Sequence, residues 1–221
     1  NDLADRKIDI HVERTKTRPL ASNRLSTKSA YIFLAVLLFS ALLLAIQLPS
    51  QTMPLCILGL AIATLYPFCK RFFFFPQAIL GIAFAMSIPI VYSATNMLNT
   101  RIEWCLLFVC ALLWPMAYDT LYALTDHHDD AKIGIHSSAL WLNDNALTFI
   151  ISIEITVCVL LASLGFFINL RGVFWIILLS TFMALVISVI RCHNKSQYMQ
   201  GFHYHHWAGA MLLFGFISAS L

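Results

Sequence analysis

The amino-acid sequence predicts an all-α fold, specifically a polytopic transmembrane helical bundle. Its 221 residues are 60% hydrophobic and 11% charged, whereas a soluble domain carries about 25% charged residues. The apolar residues form blocks of about 20, the length that a helix needs to cross a bilayer core of about 30 Å. Short polar loops separate these blocks, so we expect the chain to cross a membrane several times.

The predicted spans begin after a polar, basic segment at residues 1–28. Seven apolar spans follow it, at 29–48, 52–69, 76–95, 104–122, 147–168, 172–190 and 204–221. Most prolines lie near the ends of these spans, where a lost backbone N–H matters least. Pro89 and Pro115 lie deeper, and we expect kinks at these residues to widen a cavity between the helices.

The charge and cysteine content argue against two other kinds of protein. A net charge of +3, without a basic stripe of interleaved aromatic residues, excludes nucleic acid as an expected partner. The cysteines form no CxxC pair, and most lie inside apolar blocks, where Cys behaves as a small hydrophobe. We therefore expect free thiols at Cys56, Cys69, Cys105, Cys110, Cys158 and Cys192.

The basic residues predict the orientation of the chain. Of the 14 Lys and Arg residues, 12 fall in the segments of one side, and the remaining two are Arg101 and Arg171. Loops rich in Lys and Arg stay on the cytoplasmic side of a membrane. We therefore expect an integral membrane protein whose polar motifs face the cytoplasm.

Aspartates recur in two short segments on this side: Asp2, Asp5 and Asp9 in the first, and Asp126, Asp129 and Asp130 in a loop after an apolar helix. Each segment contains two carboxylates four residues apart, a spacing that places them on one face of a helix. Clustered carboxylates repel one another unless cations neutralise them. The two segments therefore predict an Mg²⁺ site that holds a diphosphate, since Mg²⁺ commonly joins carboxylates to substrate phosphates.

Other interpretations of the polar segments remain open. The first segment could be a solvated stretch whose acids pair with neighbouring bases, and His127 and His128 would suit a transition metal. The segment His203-Tyr204-His205-His206-Trp207 could bind zinc, but an aromatic and polar belt at the membrane interface is the favoured interpretation.

Single polar residues add further candidates. Lys70-Arg71 has two interpretations. It is either a basic anchor at the membrane surface, or a site where the planar guanidinium of Arg71 donates paired hydrogen bonds to a carboxylate or phosphate. Glu154 lies within a span, where we favour a neutral or hydrogen-bonded carboxyl facing a neighbouring helix over a functional group.

Three more candidates border the motifs. Asp119 and Tyr122 precede the second segment at helical spacing from Asp126. Asp119 could point toward the same cluster and orient its carboxylates without binding the ligand itself. Tyr66, near the end of the second span, could form an aromatic wall of a cavity.

Two motifs in this order resemble the UbiA family of intramembrane aromatic prenyltransferases. The first reads Asn1-Asp2-x-x-Asp5-Arg6-x-x-Asp9 and continues to Arg14 and Arg18, and the second reads Asp126-x-x-Asp129-Asp130-x-Lys132. Between them, Tyr66-Pro67-Phe68-x-Lys70-Arg71 and Pro76-Gln77-x-x-Leu80-Gly81 are similar to the 4-hydroxybenzoate polyprenyltransferase branch. The resemblance runs the length of the chain.

The resemblance implies nine transmembrane helices around a cavity, with the active site at the cytoplasmic side of a bacterial inner membrane. Only seven spans are present, so we expect residues 1–221 to form a single domain that lacks its first helix and most of its second. That second helix is expected to end at Asn1. The resemblance also implies Mg²⁺ as cofactor, and the implied metal–diphosphate ligands are Asn1, Asp2, Asp5, Asp9, Asp126 and Asp130.

The implied reaction transfers a polyprenyl group from polyprenyl diphosphate to the ring carbon ortho to the hydroxyl of 4-hydroxybenzoate, an early membrane step of ubiquinone biosynthesis. Asp5, Asp126 and Arg71 are the expected catalytic residues, and Asp126 would activate the phenol or accept the ring proton. The prenyl tail would lie among the helices, open to membrane lipid. The other residues expected at the substrate are Asn1, Arg6, Lys7, Tyr66, Lys70, Asp119, Tyr122 and Lys132.

Two alternatives remain open at this stage. One is a sister prenyltransferase with a naphthoate, homogentisate or haem acceptor, and the other is an ion-coupled transporter. Transporters place acidic residues near the bilayer midplane on broken helices, whereas these aspartates lie at the cytoplasmic edge. His127-His128 and His136 depart from the pattern of the branch, but none of them is an implied ligand.

Overall fold

The computed structural model describes residues 1–97 and 102–220, and every regular element within these ranges is a helix, which confirms the all-α class. The helices are α1 (Asp2–Asp9), α2 (Thr27–Ala45), α3 (Met53–Cys69), α4 (Pro76–Ala85), α5 (Ser87–Ala94), α6 (Ile102–Ile133), α7 (Ser138–Leu142), α8 (Ala146–Phe167), α9 (Val173–Ile190) and α10 (Lys195–Ser220). Short 3-10 turns at Ser50–Thr52 and Asn143–Asn145 lead into α3 and α8.

Six helical stretches are long and apolar enough to cross a membrane: Thr27–Ala45, Ser50–Cys69, Pro76–Ala94, Ile102–Ile133, Ser138–Phe167 and Val173–Ile190. The chain is therefore an integral membrane protein, and these stretches match the first six predicted spans. The predicted span at 204–221 coincides with α10 as far as the described residues extend; this helix begins at Lys195 and carries Gln and His residues through its first half. This polarity explains why the described residues contain one span fewer than predicted. Arg101, which the predicted topology used, lies outside the described residues.

The two deep prolines affect their helices differently. The third span divides at Met86 into α4 and α5, because Pro89 has no N–H to donate to the carbonyl oxygen of Ala85. Pro115 lies inside α6 without ending it, and it lines a cavity beside that helix. The chain direction is therefore interrupted near Pro89, as predicted, whereas the widening of a cavity at this residue stays a prediction.

The hydrophobic core lies between α6, α8, α9 and α10. These helices bury one apolar face each, with residues such as Leu121, Ile150, Phe174, Leu178 and Leu212. Lipid tails are as apolar as these side chains, so close packing contributes more to helix association in a membrane than removal from water does. Cys110 and Cys192 belong to this core, and all six cysteines are free thiols, as predicted.

Small and polar residues bring α4 against α6. At Gly81 an added Cβ atom would lie 2.3 Å from the carbonyl oxygen of Leu112, so glycine is needed for this approach. Nearby, Gln77 Oε1 accepts a hydrogen bond from the N–H of Ser138 (2.9 Å), and Ser138 Oγ lies 2.7 Å from Thr120 Oγ1. This buried network fixes the start of α7 to both helices.

The ends of α1, α3 and α6 meet at one side of the bundle. α6 ends at Ile133 and is followed by Gly134, which has a positive φ of 76° and donates its N–H to the carbonyl oxygen of Asp130 (3.0 Å). In the turn that follows, the N–H of His136 donates to the carbonyl oxygen of Lys70 at the end of α3 (2.8 Å). Residues 10–26 form turns that connect α1 to α2. The two acidic segments therefore share one end of the molecule.

Candidate active site

A charged cavity of about 360 Å³ lies where α1, α3, α4 and α6 meet. Five carboxylates line it, from Asp5, Asp9, Asp119, Asp126 and Asp130. Three basic side chains also line it, from Arg14, Arg18 and Lys70. The fold thus brings carboxylates of both acidic segments to one cavity, as the sequence-based hypothesis requires.

The first acidic segment forms α1, and this helix directs two of its aspartates into the cavity. Asp5 and Asp9 are about one helical turn apart and therefore share a face. They are only 2% and 6% exposed. Thr15 holds the end of this helix by donating a hydrogen bond from Oγ1 to the carbonyl oxygen of Asp9 (3.0 Å).

The second acidic segment is helical, so the prediction that it lies in a loop is wrong. α6 continues to Ile133, well beyond the predicted end of the span at residue 122, although Thr, Asp and His in this stretch are weaker helix formers than the Ala, Leu and Lys among them. Asp126 and Asp130 consequently share one face, and each is 8% exposed. His127 and His128 do not line the cavity, so they do not join these carboxylates.

Basic side chains neutralise the buried carboxylates. Arg14 donates two hydrogen bonds to Asp126, from Nε to Oδ1 (3.0 Å) and from Nη2 to Oδ2. This is the two-pronged geometry in which a guanidinium group best matches a carboxylate. On the other side of the cavity, Lys70 Nζ lies 3.2 Å from Asp5 Oδ2. Pairing of the acids with basic side chains, which the sequence left open beside a metal site, is therefore present, with Arg14 and Lys70 as the partners.

Arg18 connects the first acidic segment to α6. Its Nη1 lies 3.1 Å from Asp9 Oδ2 and 3.3 Å from Asp2 Oδ1, and its Nη2 donates to the Tyr122 hydroxyl (2.9 Å). The guanidinium of Arg14 lies 4.1 Å from the centre of the Tyr122 ring. Sequence reasoning assigned no role to either arginine. Their four-residue spacing directly after the first acidic segment was the signal that could have identified them.

The carboxylates keep the basic side chains charged. Burial by itself lowers the pKa of Lys70, but the negative charge of Asp5 outweighs it and raises the pKa above its ordinary value. Burial likewise lowers the pKa of Arg14, while its hydrogen bonds to Asp126 raise it, and the net pKa is raised. The positive charge in the cavity is therefore fixed throughout the neutral pH range.

Three residues that were predicted near the second motif line the cavity. Tyr66, Asp119 and Tyr122 are all among the lining residues. The Tyr66 hydroxyl donates to Asp119 Oδ2 at 3.4 Å, which joins α3 to α6 across the cavity. An aromatic wall at Tyr66 and a supporting position for Asp119 are both consistent with this placement.

The structure separates Lys70 from Arg71. Lys70 lines the cavity, whereas Arg71 is exposed and does not line it. Arg71 Nη2 donates to the carbonyl oxygen of Ala4 (2.9 Å), and its guanidinium lies 5.2 Å from the centre of the Phe68 ring. Arg71 thus holds α1 against the end of α3, and its substrate-binding role stays a prediction.

The remaining predicted residues lie at varying distance from the cavity. Asn1 lines it, but Asp2 does not and pairs with an arginine at its rim. Arg6 donates to Thr27 Oγ1 (2.7 Å) and so points toward α2. Lys7 and Lys132 are exposed. Asn1 is therefore the one of these side chains that the fold brings into the site.

The cavity carboxylates fit a hard divalent cation by their chemistry. Asp5 Oδ1 is buried and has no hydrogen-bond partner among the described residues, so it is available as a ligand. Asp9, Asp126 and Asp130 supply further oxygens of the type that Mg²⁺ prefers. Within residues 1–97 and 102–220, no three Asp, Glu, His or Cys side chains already form a complete metal site. Mg²⁺ therefore stays a prediction.

A second cavity of about 570 Å³ lies deeper along α6. Its lining is mostly apolar and aromatic, and it includes Trp114 and Pro115. Phe84, Tyr118 and Phe202 line both cavities and form the wall between them. The charged cavity is therefore bordered by a mostly apolar and aromatic space, whose lining also includes His205 and His206.

Glu154 faces a neighbouring helix, as favoured from the sequence. Its Oε1 lies 3.3 Å from Nε2 of His205 on α10, and both side chains are almost completely buried. His205 is thus not part of an interfacial belt, and that prediction is wrong for this residue. Tyr204 and Trp207 are 51% and 73% exposed, as a belt requires.

Relatives of known activity match nearly the whole chain. A sequence profile of the UbiA prenyltransferase family matches residues 1–215. The chain is 38% identical over 222 residues to a 4-hydroxybenzoate octaprenyltransferase from Pseudomonas fluorescens, covering 99% of this chain and 74% of the relative. It is also 38% identical over 223 residues to the enzyme of the same name from Aliivibrio fischeri, covering 100% and 77%.

Two solved structures share the fold. A UbiA homolog from Aeropyrum pernix K1 in its apo form superposes with a TM-score of 0.80 at 22% identity, covering 100% of this chain and 82% of that one. A digeranylgeranylglyceryl phosphate synthase superposes with a TM-score of 0.67 at 18% identity, covering 99% and 78%. At such low identity these likenesses concern the fold alone.

Replacing Arg14 by Gln should destabilise the protein, because Asp126 then stays buried without its charged partner. The two side chains are 29% and 11% exposed, so we expect the free energy of unfolding to fall by about 1–3 kcal/mol. Unfolding in detergent, followed by circular dichroism, measures this change. Adding Asp126→Asn to Arg14→Gln should recover part of the loss.

Lys16→Gln is the matched control for this measurement. Lys16 pairs with Glu13 at the surface, where the side chains are 48% and 79% exposed, and such pairs contribute little to stability. An equal loss of stability in Lys16→Gln and Arg14→Gln would contradict the assigned role of the buried pair.

Proposed function

Because the chain belongs to the UbiA prenyltransferase family, we propose that it transfers a polyprenyl group from polyprenyl diphosphate to 4-hydroxybenzoate, as an early membrane step of ubiquinone biosynthesis. The new bond forms at the ring carbon ortho to the hydroxyl. The relatives that support this acceptor carry the name 4-hydroxybenzoate octaprenyltransferase and match the chain almost from end to end.

The convergence of both acidic segments on one charged cavity is the observation that carries the proposal. The lining contains five carboxylates and three cationic side chains. Such a cavity attracts a diphosphate only when further cations accompany it. This charge balance supports a diphosphate donor that binds together with divalent cations.

Each end of the donor has a matching environment. Arg14, Arg18 and Lys70 can donate hydrogen bonds to diphosphate oxygens, since guanidinium and ammonium groups bind phosphate well. When bound by the cavity carboxylates, Mg²⁺ would supply Lewis-acid stabilisation of the diphosphate leaving group. Asp5, Asp9, Asp126 and Asp130 are the residues proposed to hold it, and Asn1 would bind the diphosphate beside them.

The aromatic residues between the two cavities can stabilise the carbon of the donor from which the diphosphate leaves. Phe84, Tyr118 and Phe202 border the charged cavity on its apolar side. Their ring faces attract positive charge, which favours an allylic cation at this wall. The apolar space behind it would receive the prenyl chain and exclude water that would otherwise convert the cation to an alcohol.

Asp126 is the carboxylate that we propose acts on the aromatic acceptor. It would raise the electron density of the phenol or accept the ring proton after the carbon–carbon bond forms. In the resting arrangement both of its oxygens bind Arg14, so this salt bridge has to open or shift when substrates bind. Tyr66 and Asp119 would line the acceptor side.

The proposed location is the bacterial inner membrane with the charged cavity open to the cytoplasm. Lys70, Arg71 and Lys132 lie at the end of the bundle that carries the cavity, and basic loops stay in the cytoplasm. We also propose that residues 1–221 belong to a single prenyltransferase domain.

Membranes that carry the protein should prenylate 4-hydroxybenzoate when polyprenyl diphosphate and Mg²⁺ are supplied. Chelation with EDTA should abolish product formation, and renewed Mg²⁺ should restore it, because the negatively charged cavity needs cations to bind the donor. Liquid chromatography of radiolabelled product measures the turnover. Naphthoate, homogentisate and haem acceptors are offered in parallel, and preferred use of one of them would replace the proposed acceptor.

Asp126→Asn should lower turnover by at least about a hundredfold, since it removes a charge at the reacting groups. Asp129→Asn is the matched control from the same motif. Asp129 does not line the cavity and accepts a hydrogen bond from the N–H of Glu13 (3.2 Å), so its variant should keep near-normal turnover. Equal loss in both variants would refute the assignment of Asp126.

Lys70→Met should raise the KM for the diphosphate donor strongly, because it removes a cation from the cavity. Arg71→Met should leave this KM nearly unchanged and lower the thermal stability, since Arg71 contacts the backbone of α1. Steady-state kinetics together with thermal unfolding distinguish the two effects. A larger rise in KM for Arg71→Met than for Lys70→Met would restore Arg71 as the residue that binds the donor.

A further inference from the structure

A groove of about 740 Å³ runs between α9 and α10. Among the described residues, its lining shares none with the charged cavity or with the apolar cavity behind it. The groove therefore belongs to neither part of the proposed reaction, and its properties need a separate explanation.

Each helix contributes one stripe of residues to the groove. On α10 the stripe consists of Gln200, Tyr204, Trp207 and Met211. These positions follow the i, i+4, i+7, i+11 pattern that keeps side chains on one face of a helix. The stripe changes from polar at the start of α10, through two aromatic rings, to apolar at Met211.

The facing stripe on α9 consists of small side chains and leads to a charged residue directly after the helix. It runs from Ser180 through Ala184 and Ser188 to Arg191, again over eleven residues. The small side chains of Ser180 and Ala184 leave open space between the helices. Arg191 lies directly after the end of α9, close to the start of α10, so the polar ends of both stripes coincide.

The length of the groove matches one leaflet of a bilayer. Eleven residues at a rise of about 1.5 Å span about 16 Å, which is half of a hydrocarbon core of about 30 Å. A transmembrane helix of a partner protein would need a complementary face across the full core. A groove that is polar at the membrane surface and apolar near the midplane instead matches the shape and polarity of one lipid molecule.

Arg191 supplies an unused positive charge at the surface end. Its side chain is exposed, and its guanidinium forms no ion pair or hydrogen bond with any described residue. The arginines of the charged cavity are all paired, so Arg191 differs from them. Its guanidinium is complementary to a lipid phosphate. Tyr204 and Trp207, 51% and 73% exposed, add a hydroxyl and an indole N–H to the lining farther along α10.

We infer that the groove between α9 and α10 binds one anionic phospholipid of the cytoplasmic leaflet. Its phosphate contacts Arg191, its glycerol region lies beside Tyr204 and Trp207, and an acyl chain follows the small residues toward Met211. Basic pockets between transmembrane helices on the cytoplasmic side bind anionic head groups in this way. This lipid site is independent of the proposed reaction.

Native mass spectrometry of the purified chain in detergent tests the site directly. Phosphatidylglycerol and phosphatidylcholine with the same acyl chains are titrated in turn, and glycerol 3-phosphate serves as the free headgroup. We expect one phosphatidylglycerol to bind more tightly than phosphatidylcholine, and no measurable binding of glycerol 3-phosphate. Arg191→Gln should weaken the binding of phosphatidylglycerol about fivefold and remove the preference for it.

Two further variants make the result specific. Ala184 is exposed in the groove, so Ala184→Phe should fill it without disturbing the core and should weaken binding of both lipids. Lys195→Gln is the matched control, because Lys195 is an exposed cation at the start of α10 that does not line the groove. It should bind lipid as the unchanged protein does.

Several outcomes would overturn the lipid site. Unchanged phosphatidylglycerol binding in Arg191→Gln or in Ala184→Phe would do so, and so would an equal loss in Lys195→Gln and Arg191→Gln, which would indicate general surface charge. Tight binding of glycerol 3-phosphate would indicate a phosphate site without a role for the acyl chain. Prenyl transfer in detergent should be the same for Arg191→Gln and the unchanged protein, so a failure of the lipid site and a failure of the proposed reaction can be told apart.

Discussion

The pairing of buried carboxylates with basic side chains is the interaction on which the charged end of the molecule depends. Arg14 belongs to the turns between α1 and α2, and Asp126 belongs to α6, so their salt bridge fastens the N-terminal segment to the bundle. Lys70 and Asp5 make a similar connection between α3 and α1. An unpaired charge at such a position costs several kcal/mol, so these partners allow the acidic segments to be buried together. Carboxylates still outnumber the basic side chains in the lining, which matches a site that takes up cations with its substrate.

The two cavities match the two chemically different parts of the proposed prenyl donor. The diphosphate needs charges and hydrogen bonds, whereas the prenyl chain needs an apolar space, and one aromatic wall separates these environments. In the proposed arrangement the reacting carbon, which joins the two parts of the donor, lies near that wall. A bond that breaks there leaves its positive charge beside ring faces and away from bulk water. The membrane location has the same cause, since the long tail is stable only in an apolar surrounding.

The polarity of the ends of the helices explains which parts of the fold could be predicted. The apolar blocks identified six membrane-crossing helices, because a bilayer requires a minimum length of apolar residues. They did not identify the true end of α6, which continues into the acidic segment after its apolar block has ended. The start of α10 was missed for the same reason, because Gln and His residues in its first half lower the hydropathy although the helix already begins at Lys195. A change in hydropathy marks the edge of the hydrocarbon, whereas a helix ends where its backbone hydrogen bonds end, here at Gly134.

The sequence by itself determined the membrane class, the two carboxylate pairs at four-residue spacing and the free cysteines, since these depend on composition and on local helical periodicity. It also contained the motifs of the family. Only the tertiary structure decided which basic residues serve the cavity: Arg14, Arg18 and Lys70 line it, while Arg71 does not. It likewise decided that His205 is buried against Glu154. Lys70 and Arg71 lie in the turn directly after α3, where sequence periodicity does not set the direction of a side chain, so the inward member of the pair is known only once the neighbouring helices are in place.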